Sequence, residues 1–541
     1  MNKAIPFFTL FCLFIFVQCD KKTTAEGNSG LNGLEMHEID MTPPADALFQ
    51  KLLSAETGIT FRNDLKEDWT NNVLTFSYLY NAGGVGVIDV NNDGLQDVYF
   101  TSTLGMGNAI GKAGALFVQN KGGGFVQTST ATFERDNPYE DSGCAFFDAD
   151  GDGDPDLLVA SGGNTAAPNA KVYVPRLYIN DGKGNFTKSS GQLPDIYDAG
   201  SAVAAADVDG DGDQDVFIGA WCLPGSYPMP AKSHLLLNDG AGRFSEVPAH
   251  VAPDLANIGI VYQAIWSDID GDKLPELILA GEWMPITIYK NTGGKLTNAT
   301  ATYGLENTQG FWRSVAVADL DGDGDLDISA GNFGLNSRYR TSATAPLRMY
   351  AKDFDNNGSI DPIMTMMQYG EELPVAYRDV MMSQLPSLKK KFLKYTSYAN
   401  ATVDELYTRK ELDGSTQLTC KMLESGWFEQ KAGKFIFHAY TNMAQIAPIY
   451  AQVVQDVNKD GKIDLVIVGN DWGQQVETGP VDGGNGLVLL GDGRGNFRGM
   501  NPRETGFWAS KEARSLLLLN NGSGKPMLVV GNNNAGLQMF W

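Results

Sequence analysis

Acidic residues recur at alternate positions in short, glycine-bearing stretches of this chain. The fullest copy, Asp319–Asp327, reads DLDGDGDLD, with carboxylates at its first, third, fifth, seventh and ninth positions. Carboxylates this close together repel one another unless a cation lies among them. Calcium takes about six to eight oxygen ligands in flexible geometry, whereas magnesium requires a stricter octahedron. The stretch therefore predicts a calcium-binding loop.

Seven copies of this stretch occur, numbered here as loops 1 to 7 in chain order. The first five begin 51 to 61 residues apart, and such regular spacing indicates a structural repeat. At any single loop the alternative is a solvated acidic turn, and occupancy is open in loop 4, which contains Lys273, and in loops 1, 6 and 7, which contain asparagine. Up to about seven Ca²⁺ ions are expected. The predicted ligands are Asp89, Asn91, Asp93 and Asp97 (loop 1); Asp148, Asp150, Asp152 and Asp156 (loop 2); Asp207, Asp209, Asp211 and Asp215 (loop 3); Asp268, Asp270, Asp272 and Glu276 (loop 4); Asp319, Asp321, Asp323 and Asp327 (loop 5); Asp353, Asp355, Asn357 and Asp361 (loop 6); and Asp456, Asn458, Asp460 and Asp464 (loop 7).

Each loop lies between two apolar runs, and a second hairpin usually follows. In the third repeat that hairpin is Leu235–Phe244, whose Asn-Asp-Gly turn is a strong hairpin signal. Four antiparallel strands cannot bury both faces alone, and stacking such sheets radially gives a β-propeller. We predict an all-β, seven-bladed propeller, with eight blades as the alternative. Leu537–Trp541 and Gly58–Arg62 are expected to complete the last blade, and a partly helical insertion is expected at 370–426.

The N-terminal residues indicate export. Phe7–Val17 is an apolar run too short to cross a bilayer and is typical of a signal peptide. With Cys19 it resembles a bacterial lipoprotein signal, which implies a signal peptide at 1–18 and a lipid on Cys19; an ordinary secretory signal is the alternative. Residues 19–46 are predicted to form a flexible tether and 47–541 the propeller. The expected location is the outer membrane or cell surface, with the periplasmic side as the alternative.

Charge and residue usage exclude some classes of function. The net charge is −24, and the seven loops hold 28 of the 65 acidic residues. A nucleic-acid partner is disfavoured because it requires a basic surface. The four histidines are scattered without metal-ligand spacing, and the three cysteines beyond Cys19 form no disulfide framework. An enzyme is therefore not the favoured interpretation.

The repeat resembles the FG-GAP/VCBS type, the calcium-loop propeller of integrin α subunits and many bacterial surface proteins. Over residues 57–541 the chain is similar to large exported propellers of Bacteroidetes that are related to the ASPIC/UnbV family. The resemblance is carried by the loops and by Leu347–Met364, Leu385–Phe392 and Gly486–Phe497. It implies the fold and the metal more firmly than a function.

Long aromatic connections are expected on the propeller face opposite the calcium loops. Rigidly held loops commonly carry binding sites, and the ligand-face candidates are Trp221, Trp283, Phe333, Asp471 and Trp472. The alternative is that these aromatic residues only pack between blades. The favoured function is binding of an extracellular glycan or protein partner, with membrane attachment only through the lipid. The second hypothesis is a secreted polysaccharide lyase or glycosidase that uses Asp471, Trp472 and Glu477. The oligomeric state is left open.

Overall fold

Antiparallel strands build most of this protein. The computed structural model describes residues 43–65, 72, 83–102, 114–136, 139–164, 166–474, 478–522 and 524–541. The predicted signal peptide, Cys19 and most of the tether lie outside the described residues. Within these ranges the strands pair in eight sheets, each with a path of four strands.

Seven of these sheets, named A to G, are antiparallel sheets in which each strand of that path pairs with the next one along the chain, except that the fourth strand of sheet G comes from the N-terminal residues. Sheets A to C comprise Val85–Ile88, Asp97–Phe100, Ala115–Gln119 and Phe125–Thr128 (A); Asp141–Phe147, Asp156–Ser161, Arg176–Asn180 and Phe186–Lys188 (B); and Gly200–Ala206, Asp215–Ala220, His234–Asn238 and Phe244–Glu246 (C). Sheets D and E comprise Ile260–Ser267, Glu276–Met284, Thr287–Asn291 and Leu296–Asn298, with Gly310–Phe311 on the second strand (D); and Ser314–Ala318, Asp327–Gly331, Gly426–Lys431 and Lys434–Ala439 (E). Sheets F and G comprise Ala451–Gln455, Asp464–Val468, Leu487–Gly491 and Phe497–Gly499 (F); and Glu512–Asn520, Pro526–Asn533, Gln538–Phe540 and Lys51–Leu52 (G).

The first strands of these seven sheets contact one another in a closed ring. Each touches the first strand of the next sheet from A to G, and the first strand of G touches that of A. The approach is so close that a Cβ atom on Gly143 would lie 2.2 Å from the carbonyl oxygen of Ser201 in the next sheet. Small residues in the leading runs therefore permit the crowding at the axis, and the fold is all-β and propeller-like.

Alternate side chains of the second strands pack against different neighbouring sheets. In sheet C, Val216 and Ile218 pack against Leu158 of sheet B, whereas Phe217 packs against Leu277 of sheet D. Successive side chains of a strand point to opposite faces, so the second strands are buried on both sides. This explains their continuous apolar sequence, and each large side chain so buried contributes about 1.5–3 kcal/mol.

Sheet G joins the two ends of the described chain. Lys51 pairs with Phe540 and Leu52 with Met539, so the predicted closure by N-terminal and C-terminal strands is confirmed. The prediction that Gly58–Arg62 supplies the fourth strand is wrong. Ile59 and Phe61 in that stretch instead pack on Phe100 in the cluster between sheets G and A. They fill the space between two sheets and do not extend one.

An insertion separates the second and third strands of sheet E. It contains the eighth sheet, called the inserted sheet, formed by Leu347–Lys352, Asp361–Gln368, Glu371–Pro374 and Thr416–Cys420. Loop 6 belongs to this sheet, which explains why it follows loop 5 so closely. The prediction of a partly helical insertion is confirmed by the helices Arg378–Gln384, Tyr395–Tyr398, Val403–Leu406 and Arg409–Asp413 and the 3₁₀ turn Pro386–Lys390.

The remaining helical segments are short and lie in connections. They are Ser54–Thr57, Thr130–Phe133 and Pro502–Thr505, with 3₁₀ turns at Glu134–Asp136, Lys171–Tyr173, Leu255–Asn257 and Asn442–Gln445. Over the part of the chain that the structure describes, every helix is too short or too polar to span a membrane.

Candidate metal loops and central cavity

Loops 2 to 6 each bring three acidic side chains together. These side chains occupy the first, third and ninth positions, and one oxygen of each lies within 4.8 Å of the others. The groups are Asp148, Asp150 and Asp156; Asp207, Asp209 and Asp215; Asp268, Asp270 and Glu276; Asp319, Asp321 and Asp327; and Asp353, Asp355 and Asp361. In loops 1 and 7 the third position is Asn91 or Asn458, whose amide nitrogen donates to the fifth-position aspartate.

The backbone of each loop wraps around the carboxylate of the first aspartate. In loop 2, Asp148 accepts hydrogen bonds from the backbone N–H groups of Gly151 at 2.8 Å and Gly153 at 2.9 Å. Gly153 has φ of 88°, a left-handed conformation that glycine adopts without steric cost. The loop shape is therefore dictated by the aspartate and the glycines that follow it.

The ninth residue ties the loop to the sheet. Asp156 is fully buried, and its two oxygens accept the backbone N–H groups of Ala149 at 2.9 Å and Asn180 at 2.7 Å. Because Asn180 ends the third strand, this carboxylate joins three segments of sheet B. Loops 1, 3, 5 and 7 repeat the arrangement. The sequence predicted a metal ligand at this position but not this second, structural role.

The carboxylates of the loops fit a hard cation. Burial, with added repulsion from neighbouring carboxylates, raises the pKa of Asp156 to about 7 and the pKa of Asp97, Asp215 and Asp327 to about 6. In loop 2 the Oδ1 atom of Asp150 is also buried without a hydrogen-bond partner. A divalent ion among these oxygens would offset the repulsion and supply the missing partner, and oxygen-only ligands suit calcium.

The predicted ligand-face residues differ in how far they are exposed to solvent. Trp221, Trp283 and Phe333 are buried; Trp221 packs edge-on to Tyr262 with ring centroids 4.7 Å apart. These aromatic side chains thus pack within the protein. Asp471 is also buried, whereas Trp472 is 37% exposed.

A cavity of about 310 Å³ lies between the ring and the inserted sheet. Phe333 and Asp471 lie in its wall, whereas Trp221, Trp283 and Trp472 do not. One wall comes from the starts of first strands and the ends of second strands in sheets D to G, on the face opposite the acidic loops. This wall contains Tyr262, Glu282, Arg313, Tyr450, Asp471 and Arg514. The opposite wall is largely apolar and contains Met349, Ile360, Pro362, Met364, Val375 and Val380 of the insertion.

Buried charges in the polar wall are paired. The Arg313 guanidinium contacts the Glu282 carboxylate at 2.7 Å, and the Tyr227 hydroxyl donates to the other Glu282 oxygen at 2.6 Å. Arg514 similarly contacts Glu512 at 2.7 Å. Such charge-assisted hydrogen bonds are stronger than neutral ones.

The same arginines stack on tyrosine rings from neighbouring sheets. Arg313 lies 4.0 Å from the ring centroid of Tyr262 and 5.5 Å from that of Tyr450, and Arg514 lies 3.8 Å from Tyr450. The order Tyr262, Arg313, Tyr450, Arg514 links sheets D, E, F and G. Sequence reasoning missed this stack because each residue stands alone in its own repeat. The available signal was position: Arg313 and Tyr450 each come directly before a first strand.

The second hypothesis, a secreted polysaccharide lyase or glycosidase, requires the carboxylates of Asp471 and Glu477. Asp471 accepts hydrogen bonds from the Tyr450 hydroxyl at 2.7 Å and from the Gln474 amide at 2.7 Å, and it also accepts the backbone N–H of Gly473. Its oxygens are thus engaged within the protein. Glu477 lies outside the described residues.

Comparison with known proteins identifies the repeats. Residues 89–159, 148–218 and 268–330 match the FG-GAP-like repeat, and these segments contain loops 1 to 5. Cartilage acidic protein 1 of Xenopus tropicalis is 25% identical in an alignment 361 positions long, which covers 56% of this chain and 50% of that protein. The chain therefore spans about half the length of this relative.

Two solved structures align with most of this chain, but their similarity to it is low. The V. cholerae biofilm matrix protein Bap1 is 12% identical with a TM-score of 0.34, over 89% of this chain and 90% of that chain. BBS1N, solved in complex with ARL6DN, is 9% identical with a TM-score of 0.38, over 91% of this chain and 97% of that chain. The match to the FG-GAP-like repeat covers loops 1 to 5, and the strand pairing gives an all-β, propeller-like fold.

Proposed function

We propose that this protein is an exported, calcium-stabilised propeller that binds an extracellular carbohydrate in the cavity between the ring and the inserted sheet. The cavity is the observation that carries the proposal. Its volume of about 310 Å³ is at the lower end of the range for small-ligand sites, about 300–1,000 Å³. It suits a single sugar unit or the end of a glycan chain.

The chemistry of the two walls favours a neutral sugar. In the wall, Arg313 and Arg514 are matched by Glu282 and Asp471, so the described lining residues offer no net charge to an ionic ligand. The Tyr262 and Tyr450 hydroxyls donate their protons to Glu282 and Asp471, so their oxygens can accept hydrogen bonds from sugar hydroxyls. Met349 and Met364 opposite them offer an apolar surface to the C–H face of a sugar ring.

Filling the cavity should weaken this binding. Val380 lines the cavity and is 38% exposed on the helix Arg378–Gln384. Val380→Trp adds bulk to the cavity without removing a buried side chain. We expect a glycan array, followed by calorimetry with the sugars that bind, to show at least a tenfold loss of affinity in this variant at saturating calcium.

The matched control is Ser383→Trp. Ser383 is exposed on the same helix and is not among the lining residues. This variant should bind sugars as the wild type does. Equal affinities in the wild type and Val380→Trp would contradict the assignment of the cavity, and an array without any bound glycan would contradict carbohydrate binding altogether.

Export through a lipid-modified cysteine is the second part of the proposal. It is supported by the apolar run Phe7–Val17 followed by Cys19 and by the suitability of acidic loops for calcium outside the cytosol. In a bacterial host, the wild type should incorporate radiolabelled palmitate and sediment with membranes. Cys19→Ser should lose both properties, with Cys12→Ser as the matched control. A wild type that incorporates no palmitate would favour the ordinary secretory signal, and equal labelling of the wild type and Cys19→Ser would contradict lipid attachment at Cys19.

A further inference from the structure

Loop 4 differs from the other loops because a cationic side chain already lies among its carboxylates. The Lys290 ammonium nitrogen lies 2.5 Å from Asp270 Oδ2, 2.6 Å from Asp272 Oδ2 and 3.0 Å from Glu276 Oε1. These three carboxylates occupy the third, fifth and ninth positions of the loop. They are three of the four side chains predicted to bind calcium there.

The third strand of sheet D supplies this lysine by register. Lys290 directly follows Tyr289, which pairs with Leu277, the residue after the ninth loop position. The other ring sheets with an acidic loop can be aligned by the same pairing. Their residues at this position are Val118 (sheet A), Ile179 (B), Leu237 (C), Glu429 (E) and Leu490 (F). Among these six sheets, within the described residues, sheet D alone has a cation there.

The electrostatics of loop 4 agree with this contact. Burial lowers the pKa of Lys290, but hydrogen bonds to Asp270, Asp272 and Glu276 raise it more, so the pKa lies above the ordinary value for lysine. The hydrogen bond from Lys290 also lowers the pKa of Asp272 and so favours its ionised form. The Lys290 ammonium and the Asp272 carboxylate thus stabilise each other's charged forms, whereas burial raises the pKa of Glu276.

A second difference lies in the backbone of loop 4. The sixth position, which is glycine in the other six loops, is Lys273 with φ of 74°. A left-handed conformation is strained for lysine. Loop 4 therefore departs from the pattern in both its backbone and its charge.

We propose that Lys290 holds loop 4 in place of a divalent ion, so that loop 4 binds no calcium while other acidic loops do. An ion bound by the same oxygens would lie next to the ammonium group, and the two positive charges would repel. This inference rests on the proposed calcium binding. It deepens that proposal by assigning one loop a built-in cation.

Counting bound calcium tests the assignment. Elemental analysis and calcium titration calorimetry would be performed on the full chain after dialysis. Lys290→Met shortens the side chain by only one atom but removes its charge, and we expect one additional calcium ion per chain. Lys295→Met, at an exposed lysine in the next turn of sheet D, should leave the count unchanged.

A second pair of variants avoids dependence on the folding of Lys290→Met. Asp270→Asn in loop 4 should leave the calcium count unchanged, whereas Asp321→Asn at the same position of loop 5 should lower it by one. A count that is equal in Lys290→Met and the wild type, or that falls in Asp270→Asn, would overturn the role of Lys290 alone. A wild-type protein without any bound calcium would overturn the proposed calcium binding as well.

Discussion

Removing calcium should lower the melting temperature of this protein by about 10 °C or more. A ligand that binds only the folded state stabilises it by about 2.7 kcal/mol when its concentration is 100 times its dissociation constant. Loops 2, 3, 5 and 6 have complete acidic groups without an internal cation, and four such sites would contribute about 11 kcal/mol. The entropy of unfolding is about 2.1 cal/mol/K per residue, or about 1 kcal/mol/K for roughly 500 residues.

The measurement is a thermal melt followed by circular dichroism, with EDTA and with millimolar calcium. Restoring calcium in excess over the chelator should restore the melting temperature. Magnesium should restore less, because it requires an octahedral site and dehydrates reluctantly. If the melting curves coincide with and without EDTA and elemental analysis finds no metal, the proposed calcium binding is wrong.

The acidic loops show how far the sequence can predict this structure. The spacing of the loops predicts the sheets because each loop connects two neighbouring strands of one sheet. Burial of Asp156 and its bonds to Ala149 and Asn180 repeat at the equivalent positions of other loops, so one repeat informs the rest. The repeated local pattern therefore allows both the fold and the candidate metal ligands to be predicted from the sequence.

The central cavity could not be predicted in the same way. Glu282, Arg313 and Arg514 come from different sheets, and no short motif contains two of them. Their proximity follows only from closure of the ring. Similarly, Lys290 reaches loop 4 through strand register, whereas the feature visible in the sequence was Lys273. Contacts between repeats, or between strands within a repeat, depend on geometry that local patterns do not encode.

The Arg313–Glu282 pair provides the second large expected effect. The two side chains are 4% and 5% exposed and contact each other at 2.7 Å. Arg313→Met removes one partner and leaves the Glu282 carboxylate buried without this ion pair, which typically costs about 3–5 kcal/mol. With an unfolding entropy of about 1 kcal/mol/K, the melting temperature should fall by about 3–5 °C.

The double variant Arg313→Met with Glu282→Gln separates pairing from general damage. Once the carboxylate is neutral, removing the arginine no longer leaves a buried charge, so the double variant should lose less stability than the two single variants added together. Arg340→Met, at an exposed arginine, should change the free energy of unfolding by no more than about 0.5 kcal/mol. Additive losses in the cycle would show that Arg313 stabilises the protein through its stacking on Tyr262 and Tyr450 and not through Glu282. In that case the polar wall of the cavity would be held by the cation–π stack that links sheets D to G.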